Sequence, residues 1–596
     1  MTVRDRLRGF RVLLTFSFGV APWQAGLFLV SGAVMSLFGP ATSYFAKLLV
    51  DAVVAGSLQR GLIAAGLLAL TVGISLINVL YYIDLLFTVV EKAGAALDQR
   101  LMTLIGGIPG LAHHEHPAYL DQSELLREHR AELSWMTNAT AGMVRVIVQL
   151  AASAVLLVTL QPVLLLLPLV GVVSFVAGKR AQDLQMRARE VTAEPERLRK
   201  HLFGLATSAP AGKEVRVFGL ADELLRRHRA ASDAAIRARH RADWQSAGLQ
   251  AVGSLTFGLA YAGAIGLVLV RAIQGQATPG DVILIVGLAA GMNGIVSTAV
   301  GYGTHFLSVL RVARWYLWLE DYARSAQQVP SALLPVPERL ASGIQIQGVS
   351  FRYPGIARPA LANVSLHLPA GAVVALVGEN GAGKTSLIKL LCRFYEPDEG
   401  RVLVDGEDLR RLPIEGWRAR VSAAFQDFSR FEVLVRETVG VGRLARAEDR
   451  PAVQAALARA GAEDIPTALP AGLETQLGKA WDGGVDLSGG QWQKLALARA
   501  MMRSDPLLVV FDEPTAALDA PTEHALFERF AAAARGGESA GTVTLLVSHR
   551  FSTVRMADLI VVLDRGRIVE QGSHQELMQR DGLYAELYRL QSRAYR

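Results

Sequence analysis

A single cysteine, Cys392, stands in 596 residues. That excludes an intramolecular disulfide and leaves cysteine chemistry no part in the function; a lone thiol in the second half of the chain fits a reducing cytoplasm. Charge is also sparse, at 19% against 51% hydrophobic residues, with a mean hydropathy of +0.29. This mixture describes an apolar region joined to an ordinary soluble one. No repeat of solenoid period and no low-complexity tract is present, so a stacked array is excluded. Acidic residues are the minority, 54 against 61 basic, giving a net charge of +7. Such a balance suits nucleic acid or an anionic membrane surface. The basic residues flank apolar runs, as with Arg4, Arg6, Arg8 and Arg11 before the first and Lys179 and Arg180 after the fourth. They form no nucleic-acid stripe, so the lipid bilayer is the expected partner and nucleic acid is not.

The length exceeds what one hydrophobic core organises, and two or more domains are expected. A helix crossing a bilayer needs about 20 apolar residues, because its backbone must bond internally. Six stretches meet this, near 21–50, 61–90, 138–160, 162–180, 247–271 and 280–310. The basic-then-apolar beginning resembles a signal peptide but runs on toward Val50, which reads as an uncleaved anchor preceded by a short surface helix. The segments after the second and fourth stretches, about 91–137 and 179–246, are long, charged and helix-patterned. They carry most of the loop Arg and Lys, so they and both termini are expected in the cytoplasm. Residues 1–320 thus form a six-span membrane domain. Residues 321–343 are a linker ending in a stretch with Pro330, Pro335 and Pro337, and 344–596 a soluble domain of alternating strands and helices.

In the soluble part, Gly378-Glu379-Asn380-Gly381-Ala382-Gly383-Lys384-Thr385 follows an apolar strand at 372–377 and opens a helix through Ser386. Glycines let backbone N–H groups close around phosphate oxygens. The helix N-terminus adds positive dipole, Lys384 reaches the β and γ phosphates, and Thr385 suits magnesium. A second strand, Leu507–Phe511, delivers Asp512 and Glu513 at its carboxyl end, where ligands sit in parallel sheets. Asp512 suits the magnesium shell. Glu513 suits a general base, with Pro514 expected to keep its backbone extended. A third strand, 542–547, ends at Ser548-His549, putting His549 within reach of a γ phosphate.

The segment Leu487-Ser488-Gly489-Gly490-Gln491 resembles the signature sequence of ATP-binding cassette (ABC) transporters. Ser488 is a natural N-cap and the glycines expose N–H groups ahead of a helix, making a second anion site. The resemblance covers nearly the whole chain. It implies a membrane all-α six-helix domain followed by an α/β P-loop ATPase domain with antiparallel β and helical subdomains, binding ATP and Mg2+. It implies that Tyr353 stacks on adenine, that Gln426 touches magnesium, that Asp519 lies in a dimer-interface loop, and that Ser488, Gly489, Gly490 and Gln491 engage nucleotide held by another subunit. Stretches near 113–122 and 208–220 correspond to coupling helices. One P-loop and one signature call for a second half-transporter, identical or paralogous. The intact motifs permit an identical one.

By the same likeness the order of domains is that of exporters, similar to bacterial peptide, lantibiotic or multidrug exporters, moving an amphipathic peptide, lipid or drug. An importer of siderophore type on the same architecture and a non-transporting ATPase or channel regulator stay open. His113, His114, Glu115 and His116 are consecutive and do not converge on one metal ion. Lys47, Asp84 and Arg145 fall in or near spans, where ionisable groups line paths or couple protons unless the helices project into water.

Overall fold

The computed structural model describes residues 8, 9, 11, 15, 16, 18–327, 333–513, 541–548 and 551–594, which divide into two compact units. The first comprises 1–105 and 123–321, the second 106–122 and 322–596.

The first unit is helical. Its long members are α1 (Pro22–Val54), α2 (Leu58–Gly106), α5 (Met136–Leu160), α6 (Leu166–Val191), α9 (Ala221–Ile273) and α10 (Pro279–Ala326). Shorter helices α3 (Ala112–Glu115), which lies in the second unit, and α4 (Pro117–Ser134) follow α2, while α7 (Ala193–Thr207) and α8 (Gly212–Val217) follow α6. Gln161-Pro162 opens a 3-10 turn, Pro162–Leu165, that reverses the chain between α5 and α6. Five helices among the described residues are long and apolar enough to cross a membrane. The sixth expected span falls on α10, which includes the apolar stretch Pro279–Met292. At 1.5 Å per residue, the 53 residues of α9 reach about 80 Å, well beyond a hydrocarbon core of about 30 Å. The charged segments expected as loops are therefore largely continuations of the spans. Leu80 and Leu259 are 70% and 76% exposed, which marks faces suited to lipid rather than water.

The first unit holds together by packing of α9 along α6 and α1 along α5, around a core that includes Val146, Leu157, Phe257, Leu284, Ile285 and Met292. At the junction of α1 and α10, Lys47 pairs with Asp281, and Asp51 accepts a hydrogen bond from Gly280 N–H at 2.9 Å. A Cβ at position 280 would lie 2.5 Å from both Asp51 Oδ1 and the Lys47 carbonyl, so only glycine fits without displacement.

The second unit contains two sheets. An antiparallel one has the order β2-β1-β4-β5, built from β1 (Gly343–Phe351), β2 (Leu361–Pro369), β4 (Glu399–Val404) and β5 (Glu407–Asp408). The other has the order β10-β9-β3-β8-β7-β6, from β3 (Val373–Val377), β6 (Val421–Ala424), β7 (Leu508–Asp512), β8 (Val543–Val547), β9 (Leu559–Asp564) and β10 (Arg567–Gly572). It is parallel apart from the β9–β10 pair. Every residue of β3 and β8 is buried, as their uninterrupted apolar runs require of central parallel strands. Helix α11 (Lys384–Leu391) covers this sheet, and α12 (Gly489–Ala500) belongs to a helical region between β6 and β7.

The boundary differs from the sequence expectation in one respect: residues 106–122 cluster with the second unit and its sheets, not with the long helices of the first. Leu111 N–H donates to the Phe394 carbonyl at 3.1 Å, and Arg418 donates to the Pro109 carbonyl at 2.5 Å.

Candidate active site

Register fixes the site. Val374 of β3 pairs with Leu545 of β8, which pairs with Val510 of β7. The carboxyl ends of the three strands therefore lie side by side, carrying the loop from Gly378, Ser548 and the Asp512-Glu513 pair respectively.

Gly378, Gly381 and Gly383 have φ of +154°, +82° and +109°, values that L side chains rarely adopt. A Cβ on Gly378 would stand 2.2 Å from the Leu563 carbonyl. The loop turns tightly into α11, and Lys384, 7% exposed, lies inside the turn, donating to the carbonyls of Gly378 at 2.7 Å and Glu379 at 2.9 Å. Burial pushes its ammonium down, while Glu513 and Asp512 act in the opposite sense. Ala382 is buried in the core beneath.

Asp512 is 3% exposed. Burial raises its carboxyl above the usual carboxylate range; Glu513 and Asp427 add to the rise, and a hydrogen bond from Thr385 and the charge of Lys384 oppose it. Thr385 and Asp512 are thus hydrogen-bonded hard oxygen donors beside the loop, the chemistry magnesium selects. The donor set fits a magnesium–nucleotide.

Glu513 departs from the expectation that Pro514 keeps it extended. Its φ is +48°, in the left-handed region. Its N–H donates to the Val547 carbonyl at 3.0 Å, extending the ladder between β7 and β8. The following proline disfavours the right-handed alternative. Left-handed backbone costs roughly 1–2 kcal/mol in a non-glycine residue. Gln426, expected near magnesium, donates from Nε2 to Glu513 Oε2 at 2.8 Å.

The signature residues stand on a separate core. Ser488 caps α12: its hydroxyl accepts from Gln491 N–H at 3.3 Å, and Gln491 Oε1 accepts from Ser488 N–H at 2.9 Å. Gln491 is thereby part of a capping box, and Gly489 is exposed. Trp492, Leu495 and Leu497 anchor the helix in the cluster holding Val435, Val453 and Leu477, not the one under the P-loop. His549, Pro514 and Asp519 lie outside the described residues.

Tyr353 is half-buried. Its hydroxyl is 3.0 Å from that of Ser386, and Phe351 and Tyr395 meet its ring at 72° and 83°. The ammonium of Lys389 lies 4.9 Å from its centroid and 3.1 Å from Glu115 Oε1. Neither Lys389 nor Glu115 was foreseen as part of this site, because 274 residues separate them and no local pattern announces the contact. The histidines around Glu115 form no metal cluster among the described residues. His113 is buried against the rings of His114 and Tyr119, which depresses its imidazole to about 4. In the first unit, Lys47 is taken up by Asp281, Arg145 lies 5.4 Å from the Tyr82 centroid, and Asp84 is exposed.

Known proteins share this arrangement. A family profile described as "ABC transporter" matches residues 361–516. An ATP-dependent lipid A-core flippase of Cupriavidus metallidurans is 44% identical over 255 residues, covering 43% of this chain and 41% of that one. One of Chromobacterium violaceum is 32% identical over 428 residues, covering 72% and 70%. The match thus spans about two fifths of the first relative's length and most of the second's. A solved structure of a bacterial Atm1-family ABC exporter with ATP bound superposes with a TM-score of 0.72 at 26% identity, covering 95% of this chain and 98% of that one. Apolar helices followed by a P-loop domain with its own signature make the same assignment from within: the chain belongs to the ABC transporter family and shares the architecture of an ABC exporter, apolar membrane helices joined to one ATPase domain.

Proposed function

We propose that this chain, paired with a second half-transporter, hydrolyses ATP to export or flip an amphipathic molecule across the cytoplasmic membrane, with a lipid as the first cargo to test. The observation that carries this reading is the presence, in one polypeptide, of helices long and apolar enough to cross a membrane and of a cradle whose Lys384, Thr385, Asp512 and Glu513 meet at one sheet edge. Relatives named as lipid A-core flippases support the choice of lipid. The ATPase domain and both termini are assigned to the cytoplasm.

In this reading the amides from Gly378 to Thr385 and the ammonium of Lys384 hold the phosphates. Thr385 and Asp512 hold magnesium, assisted by Gln426; the ion, when bound, neutralises charge developing on the phosphate oxygens. Glu513 orients the attacking water and accepts its proton, and the hydrogen bond from Gln426 keeps that carboxylate aimed. His549 contacts the γ phosphate, and Ser488, Gly489 and Gly490 close over nucleotide held by the partner, with Asp519 at the interface. Closure moves the spans from inward-facing to outward-facing.

The test is ATPase activity in lipid nanodiscs against a panel of lipids, peptides and drugs. Glu513→Gln should retain ATP and lose turnover by about 10²–10⁴-fold. Unchanged hydrolysis would refute the assignment of Glu513. ATP-driven movement toward the cytoplasmic side in oriented vesicles would refute export.

A further inference from the structure

The segment 106–122 is fastened to the ATPase domain beside the nucleotide site, not merely near it. Besides the two hydrogen bonds already given, one between backbones and one from the Arg418 guanidinium, Glu115 Oε1 holds the Lys389 ammonium at 3.1 Å. Lys389 belongs to α11, the helix opened by the P-loop, and its ammonium lies 4.9 Å from the Tyr353 centroid and 5.6 Å from that of Tyr395. Side-chain exposures of 25% for Lys389 and 34% for Glu115 separate this pair from a solvated surface bridge, which contributes little. The Tyr395 hydroxyl faces the same carboxylate, so the lysine and the tyrosine together compensate Glu115 for leaving water. Burial by itself would push the Lys389 ammonium down; its bond to Glu115, with Tyr353 adding, carries it above its ordinary range instead. It therefore stays charged against the aromatic face.

A cation on one face of an aromatic ring is attracted by the ring's quadrupole. It draws electron density to that side and leaves the other better disposed toward an electron-rich base. The Ser386 contact fixes the same ring at its hydroxyl end. We infer that Lys389 and Glu115 are positioning residues for the nucleotide base: Lys389 fixes and polarises Tyr353, Glu115 holds Lys389 in place, and the seating of segment 106–122 is thereby linked to occupation by an aromatic base. The inference rests on the reading of Tyr353 as the base-stacking residue. Linkage is reciprocal, so whatever the seated segment adds to base affinity, the base returns to the seating of the segment.

The experiment uses the full chain in nanodiscs and compares binding of MgATP with that of magnesium tripolyphosphate, which has phosphates but no base. Tyr353→Ala, Lys389→Met and Glu115→Gln should each weaken MgATP by about threefold to tenfold and leave tripolyphosphate unchanged. Lys389→Arg, which keeps a cation over the ring, should restore MgATP affinity. MgATP but not tripolyphosphate should slow amide exchange in residues 106–122, and Glu115→Gln should abolish that difference. If Tyr353→Ala does not alter the preference for MgATP, the reading of Tyr353 is wrong and the inference goes with it. If Tyr353→Ala alters it while Lys389→Met and Glu115→Gln behave as wild type, the base reading stands and the inference is overturned. Equal loss of both ligands in the latter two variants would mark the pair as structural only and overturn it as well.

Discussion

Asp512 shows how a residue used for metal binding weighs on the fold that carries it. Its carboxyl is raised in the folded state, first by burial. A folded value above the unfolded one means that its favourable contribution is complete below the unfolded range and is lost as pH rises through the folded value. At neutral pH the side chain therefore works against stability when no cation is bound. Asp512→Asn should raise the nucleotide-free melting midpoint at pH 7 by about 2–4 °C, with the gain shrinking as the pH is lowered toward 4, and should abolish magnesium-dependent turnover. Thermal scans across that range, with and without magnesium, test this. Cys392 makes a contrasting case. Burial at 3% exposure pushes its thiol up to about 12, so the thiolate that reacts with disulfide reagents is nearly absent at neutral pH. One thiol per chain should react in denaturant and none in the native protein within minutes. Rapid native labelling would contradict the burial.

Among the elements, the join of α1 and α10 depends on a missing side chain. Gly280→Ala would press a methyl group to within 2.5 Å of Asp51 Oδ1 and the Lys47 carbonyl, disturbing the hydrogen bond from Gly280 N–H and the neighbouring Lys47–Asp281 pair. The expected cost is about 1–3 kcal/mol, seen as a lower midpoint in detergent, while an isolated ATPase-site property such as MgATP affinity should hold. The cap of α12 was legible in the sequence because Ser488 and Gln491 satisfy backbone groups three residues apart, a local requirement. Glu513 was misjudged because its backbone is decided by where β8 ends beside it, not by the proline alone.

For the whole molecule, the P-loop and the signature are seated in different hydrophobic cores of one chain. In the proposed dimer each site takes its loop from one copy and its signature from the other. Nanodiscs assembled with a single copy should bind MgATP but turn it over at least about tenfold more slowly than discs with two. Equal rates per chain would rule the composite site out. By itself, the sequence determined what depends on near neighbours: apolar runs long enough to cross a bilayer, glycines where the backbone must take positive φ, an N-cap before a helix, acids at the end of a buried strand. These preferences act within a few residues and survive any arrangement of the rest. The tertiary structure alone decided that residues 106–122 join the ATPase domain, that Glu115 reaches Lys389 across 274 residues, and that Glu513 turns left-handed. Each of these follows from surfaces brought together by folding, whose pairing no local pattern encodes.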